Sequence, residues 1–92
     1  MTIEEENQRI WSHKANDSYQ LSAIIGQNAN LTIRVFDTNG SLLKRTQHQV
    51  RKGEIHQSEI GEPEWPKGIY FYQVQVDGQS SNYRNSGKFR LE

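Results

Sequence analysis

Leu31, Ile33 and Val35 alternate with Thr32 and Arg34, so that one side of an extended segment is apolar and the other polar. A repeat of two is the signature of a half-buried strand, and it recurs along most of the chain. The segment ends at Asp37-Thr38-Asn39-Gly40, where Asn-Gly signals a tight hairpin because both residues tolerate positive φ. The returning strand runs from Ser41 to about Gln49, with Leu42 or Leu43 expected to face inward. Ahead of the hairpin, Tyr19, Leu21 and Ala23 share a face, and the polar cluster Gly26–Asn30 closes that strand. Behind it, residues 54–60 form a weaker strand anchored by Ile55 and Ile60. Pro63 and Pro66 then bar a central strand or helix interior across residues 61–68. The most β-prone run is 69–76, with Tyr70, Tyr72, Val74 and Val76 inward and Ile69, Phe71, Gln73 and Gln75 outward. Asp77-Gly78 reads as its hairpin turn, and Phe89 and Leu91 mark the inward face of a final strand whose Lys88 and Arg90 point out. Turns about every 8–12 residues predict an all-β, Ig-like antiparallel β-sandwich of about seven short strands. Helical periodicity is confined to a faint trace near residues 3–10.

Composition sharpens this picture. A chain of 92 residues hides only about 60–65% of its extended surface, so the core must be thin. Only 33% of residues are hydrophobic and the mean hydropathy is −0.93, which leaves partial disorder or a thin sheet with a wide polar face. An aromatic share of 10% favours the sheet, because disordered chains are poor in aromatics. Residues 1–9 read as a polar, acidic lead-in, disordered or a short arm, and 10–92 as the sandwich module. Eleven basic residues balance 11 acidic ones. The two basic clusters, Lys44-Arg45 and Arg51-Lys52, sit at turns or strand ends as solvated surface, and duplex nucleic acid is not an expected partner. Without cysteine there is no disulfide, thiolate zinc site or cysteine nucleophile. The sequence as given shows no signal-peptide pattern and no apolar run long enough for membrane insertion.

Catalysis requires groups that converge and shift one another's pKa. His13, His48 and His56 lack the spacing of a metal motif, although His48 and His56 would approach each other across strands near Glu54. Glu62 and Glu64 read as solvated loop acids. No GxSxG elbow and no phosphate-binding glycine motif occurs. Neither catalytic residues nor a cofactor or metal site is therefore expected. Asp37 is read as an Asx-turn residue, with calcium shared among Asp37, Asn39 and Asp77 as the competing reading. Trp65 is expected to plug one end of the sandwich, with a carbohydrate contact as its alternative. Ile69 and Phe71, apolar on an otherwise polar face, make a possible docking patch.

Three elements together resemble a known family. Leu31–Gly40 matches its hydrophobic strand followed by Asp, two residues and Gly. Trp65–Phe71 is similar to its Gly-Val-Tyr-Phe element, and Ser86–Leu91 to its terminal Lys-Phe strand. The chain thus resembles the type A C-terminal sorting domains of the Bacteroidetes type IX secretion system, over roughly residues 10–92. Members usually open on Tyr-Pro-Asn-Pro-Ala-Asn-Asp. Here Trp11–Asp17 keeps the Ala-Asn-Asp and lacks the Pro-Asn-Pro. The resemblance implies a non-catalytic sorting module, with Asp37, Gly40, Gly68, Tyr70, Lys88 and Phe89 as motif residues. It implies an attached upstream cargo domain, folding in the periplasm, recognition by secretion-machinery proteins and delivery to the cell surface or outside. A sortase-like protease commonly removes such domains. An exposed edge strand or the terminal strand would offer a docking element. The alternative is a structural or adhesive Ig-like module that binds a partner or serves as a spacer.

Overall fold

The computed structural model describes residues 9–16 and 18–92, so the polar lead-in falls outside it except for Arg9. Seven strands follow in order: β1 (Arg9–Ala15), β2 (Ser18–Ile24), β3 (Ala29–Phe36), β4 (Leu42–Val50), β5 (Ile55–Gly61), β6 (Gly68–Gly78) and β7 (Asn82–Leu91). They form two antiparallel sheets, ordered β1-β2-β5 and β4-β3-β6-β7. This is the expected β-sandwich, with no helix among the described residues.

The period-two pattern explains where the core lies. Leu31, Ile33 and Val35 of β3 stand opposite Val76, Val74 and Tyr72 of β6, and all six are buried. Residues directly opposite on adjacent strands share a face, so this register gathers the apolar set of both central strands on one side. Leu21 and Ala23 of β2 close the core from the other sheet, joined by Ile25, Ile60 and Val50. Tyr70 and Phe89 pair across β6 and β7 and complete it at one end.

Several local expectations need correction. Asn39-Gly40 is not a two-residue turn, since only Gly40 has positive φ (82°). Gly40 N–H bonds the Asp37 carbonyl at 3.0 Å and Asp37 N–H bonds the Ser41 carbonyl at 3.1 Å, which makes a longer loop ending in a left-handed glycine. A register shift between Val35 and Phe36 accompanies it. Neither Leu42 nor Leu43 is buried, the former being 51% exposed. The reason is that β4 is an edge strand, and its inward positions opposite Val35, Ile33 and Leu31 are Lys44, Thr46 and His48. Ile55 also faces out, because it lies an odd number of residues from Ile60 and takes the opposite face.

The β6–β7 turn falls at Gly78–Ser81, beyond Asp77-Gly78. Gln27, a buried polar residue, sets it there. Its Oε1 accepts from the backbone N–H groups of Ser80 (2.7 Å) and Ser81 (3.1 Å), while Nε2 donates to the Ser81 carbonyl at 3.0 Å. A Cβ on Gly78 would collide with the Gln27 amide, so glycine lets that amide keep its hydrogen bonds to the turn and is not there for a turn dihedral.

Candidate functional site

The motif residues are spread over more than half the sequence, yet the fold collects them at one end of the four-stranded sheet. Asp37 and Gly40 lie in the β3–β4 loop. The Asp37 Oδ1 atom accepts from Asn39 N–H at 2.9 Å and Ser41 N–H at 3.0 Å, an Asx-type role. Calcium shared with Asp77 is ruled out by register: Phe36 pairs with Phe71 at this end, whereas Asp77 pairs with Asn30 at the other. Gly68 starts β6 at φ 145°, a conformation that side-chain-bearing residues rarely adopt. Behind it, Tyr70 pairs with Phe89, and Phe71 with Lys88.

Alternation divides these residues into two functions. Tyr70 and Phe89 point inward and belong to an aromatic stack crossing both sheets: Trp65–Tyr70 at 5.4 Å, Tyr70–Phe89 at 5.6 Å and Phe89–Tyr19 at 4.9 Å between ring centroids. Trp65 is half-buried against the core at this end, the plug position read from the sequence. The Tyr70 hydroxyl donates to the Pro66 carbonyl and ties the proline loop to the stack. Ile69, Phe71 and Lys88 point outward, with Ile69 37% and Phe71 41% exposed. Phe36 lies directly beside Phe71 on the same outer face and Leu42 beside Phe36. The apolar patch is thus broader than the two residues singled out in the sequence. Its other members are hidden there because the pairing that adds them is non-local.

The seam between β4 and β5 holds the remaining titratable cluster. Lys44 pairs with Glu62 at 3.2 Å. Further along, the His48 and His56 rings lie 4.3 Å apart. Their meeting is legible in the sequence, but among the described residues no group of three or more His, Asp or Glu side chains could hold a metal ion. His48 Nε2 bonds the Thr46 hydroxyl at 3.1 Å, while His56 Nε2 and the Ser58 hydroxyl are buried without a partner. Burial, and then the neighbouring His48, holds the His56 pKa below its ordinary 6.5. The folded state therefore disfavours the imidazolium, and the unfolded chain takes up the proton first as pH falls. The contribution is complete above 6.5 and is lost as pH drops through 6.5 toward the depressed folded value. The denaturation midpoint should fall on acidification from about pH 7.5 to about 5.5, and fall less in His56→Gln. Identical pH dependence in both proteins would remove His56 as the cause.

Among the described residues the motif end offers aromatic rings, a lysine, backbone and the Asp37 carboxylate engaged in its turn, and the seam a single ion pair and two tilted imidazoles in contact. The arrangement presents a surface. A family model described as a secretion system C-terminal sorting domain matches residues 15–85. No curated protein and no solved structure matches the chain. The matched span contains Asp37, Gly40, Gly68, Ile69, Tyr70 and Phe71, and ends before Lys88 and Phe89.

Proposed function

Given that the chain belongs to the family of type IX secretion C-terminal sorting domains, we propose that it is a non-catalytic address label, read by the secretion machinery to carry an attached upstream cargo to the cell surface or outside. The observation that carries this reading is the family match across most of the sandwich. The convergence of Asp37, Gly40, Gly68, Tyr70, Lys88 and Phe89 on one end supports it physically. The inward members hold that end rigid, and a rigid surface is recognised without an entropic penalty for ordering it. Ile69 and Phe71 are the proposed contact for the reader, because partly exposed apolar side chains on a polar face gain by being covered. No cofactor enters the proposal.

The missing Pro-Asn-Pro bears on how the domain is entered. Ser12, His13 and Lys14 stand where the prolines and asparagine would be, and they pair in register with Leu21, Gln20 and Tyr19. Proline has no N–H to give to a ladder. With Ser12 and Lys14 at the proline positions, this chain keeps every backbone N–H along its paired edge strand.

The test fuses the chain behind a signal peptide and a reporter in a type IX-competent bacterium. Surface delivery is expected, and Ile69→Ser/Phe71→Ser should reduce it while leaving the denaturation midpoint close to that of the parent, since exposed positions contribute little to stability. A reporter retained in the periplasm, beside a family control that is delivered, would refute the sorting role and favour the spacer or adhesive module.

A further inference from the structure

The outer face of the four-stranded sheet carries a charge pattern that no stretch of the sequence displays. Across the strands, Arg45 pairs with Arg34, and Arg34 with Gln73. On neighbouring rungs of the same face, Arg84 pairs with Gln75, Lys88 with Phe71 and Arg90 with Ile69. Five cations from three strands thus share one surface. The acidic side chain on these rungs is Asp77, at the far end, where it accepts from Gln75. Glu54, Glu59, Glu62 and Glu64 lie instead on β5 and the turns beside it. In a chain of zero formal charge, the described rungs of this face are therefore predominantly basic.

Arg34 and Arg45 give this basic face a direction. Like charges directly opposite on adjacent strands repel and destabilise the pair. Among the described residues no carboxylate neutralises either one; Arg34 is held by the neutral Gln75 amide oxygen at 3.0 Å. An anionic group arriving over this pair relieves the repulsion. Beside it sits the apolar cluster of Phe36, Phe71, Ile69 and Leu42, three of them exposed. An apolar cluster edged by arginine is the composition of a protein interface.

We infer that this face docks an acidic protein surface: carboxylates over Arg34, Arg45, Arg84, Lys88 and Arg90, and an apolar side chain over Phe36 and Phe71. The inference names a surface and a partner chemistry for the sorting reading and rests on it. By strand spacing and rise the face measures about 15 Å across by about 20 Å along, small for a lasting complex. It suits a weak, salt-sensitive contact that forms and releases during passage. A lipid occupant fits less well, because the apolar residues lie in the plane of the sheet and do not project from a loop.

The probe is a short peptide alternating Glu with Leu, titrated into the full chain and followed by backbone amide shifts. Shifts should centre on Phe36, Phe71 and the rungs of Arg45, Arg84 and Arg90, and fade as salt is added. The triple variant Arg45→Glu, Arg84→Glu and Arg90→Glu should bind about tenfold more weakly or worse. Lys14→Glu, Arg51→Glu and Lys52→Glu together, with the same net charge change but off this face, should bind as the parent does. If the reversed variant is unfolded, the same three residues changed to Gln serve in its place. Absent binding, shifts centred elsewhere, or equal loss in both triple variants would overturn the inference. So would tighter binding of phosphatidylglycerol vesicles or a single-stranded oligonucleotide on this face, or concentration-dependent shifts without peptide, which would mark a second copy as the occupant. In the reporter fusion, loss of delivery confined to the face variant ties the contact to sorting. Equal delivery of both variants overturns the inference and leaves the sorting role intact. An undelivered parent sinks the sorting role, and the peptide titration then decides the surface alone.

Discussion

Tyr70→Ala is expected to leave the domain largely unfolded under conditions in which the parent is native. The side chain is 6% exposed, stacks on Phe89 and meets Trp65 at a tilt, while its hydroxyl donates to the Pro66 carbonyl. Truncating a large buried aromatic costs about 3–5 kcal/mol, from lost transfer free energy and from the cavity left behind. Domains of this size hold only about 5–15 kcal/mol in total, and a thin core places this one toward the low end. Because Phe89 also stacks on Tyr19 of the opposite sheet, the cavity opens where the two layers are joined. Tyr70→Phe separates the ring from the hydroxyl and should cost only about 1 kcal/mol. Urea denaturation of the three proteins measures both steps. An unchanged midpoint in Tyr70→Ala would mean that this stack does not hold the layers together.

The prominence of Tyr70 in the sequence and its place in the fold have one cause. A central strand is covered on one face only, so its apolar positions repeat every second residue over its whole length. β3 and β6 show this, and the alternation of their residues alone identifies their inward sets. β1 lacks the pattern: Arg9–Ala15 has Ile10 as its one aliphatic residue packed on the core, and its pairing partner supplies the rest of the apolar surface. β4 departs from its expected inward leucines for a related reason. An edge strand can fill inward positions with Lys44, Thr46 and His48; the seam gives Lys44 and His48 the polar neighbours Glu62 and His56, and a local pattern cannot show that such neighbours exist.

The recognition surface divides along the same line. Asp37, Gly40 and Gly68 owe their identity to local geometry, an Asx turn and two left-handed backbones, and local geometry leaves a local signature. The outer charge pattern has none. Arg45 and Arg84 are 39 residues apart in sequence and come onto one face only through the order β4-β3-β6-β7. Read singly, each is an ordinary solvated strand residue. Gly61 is the strongest case of this kind, since nothing in the sequence sets it apart from a turn glycine before Pro63.

Gly61→Ala is accordingly expected to destabilise the fold more than Gly40→Ala, although the backbone argument alone points the other way. Gly40 has φ 82° and nothing within 4 Å of an added Cβ, so its substitution meets only conformational strain, about 1–2 kcal/mol. At Gly61 an added Cβ would lie 2.7 Å from Phe89 Cε2, 3.0 Å from Leu91 Cδ2 and 3.1 Å from Tyr19 Cβ. The crowding arises because the β2–β5 register shifts at Tyr19/Gln20, turning both Ile60 and Gly61 toward the core. Phe89 cannot swing aside, being stacked between Tyr19 and Tyr70. Overpacking of this kind costs about 1–3 kcal/mol for one methyl group and more for Val, because sheet and ring must both move. Gly61→Ala combined with Phe89→Leu should be less destabilising than the sum of the two, since leucine vacates the space that the methyl needs. Denaturation midpoints of the two single variants and the double variant measure that coupling. Simple additivity would show that the methyl is accommodated by strand movement, and that the end of the sandwich bearing the motif residues is softer than its aromatic stack implies.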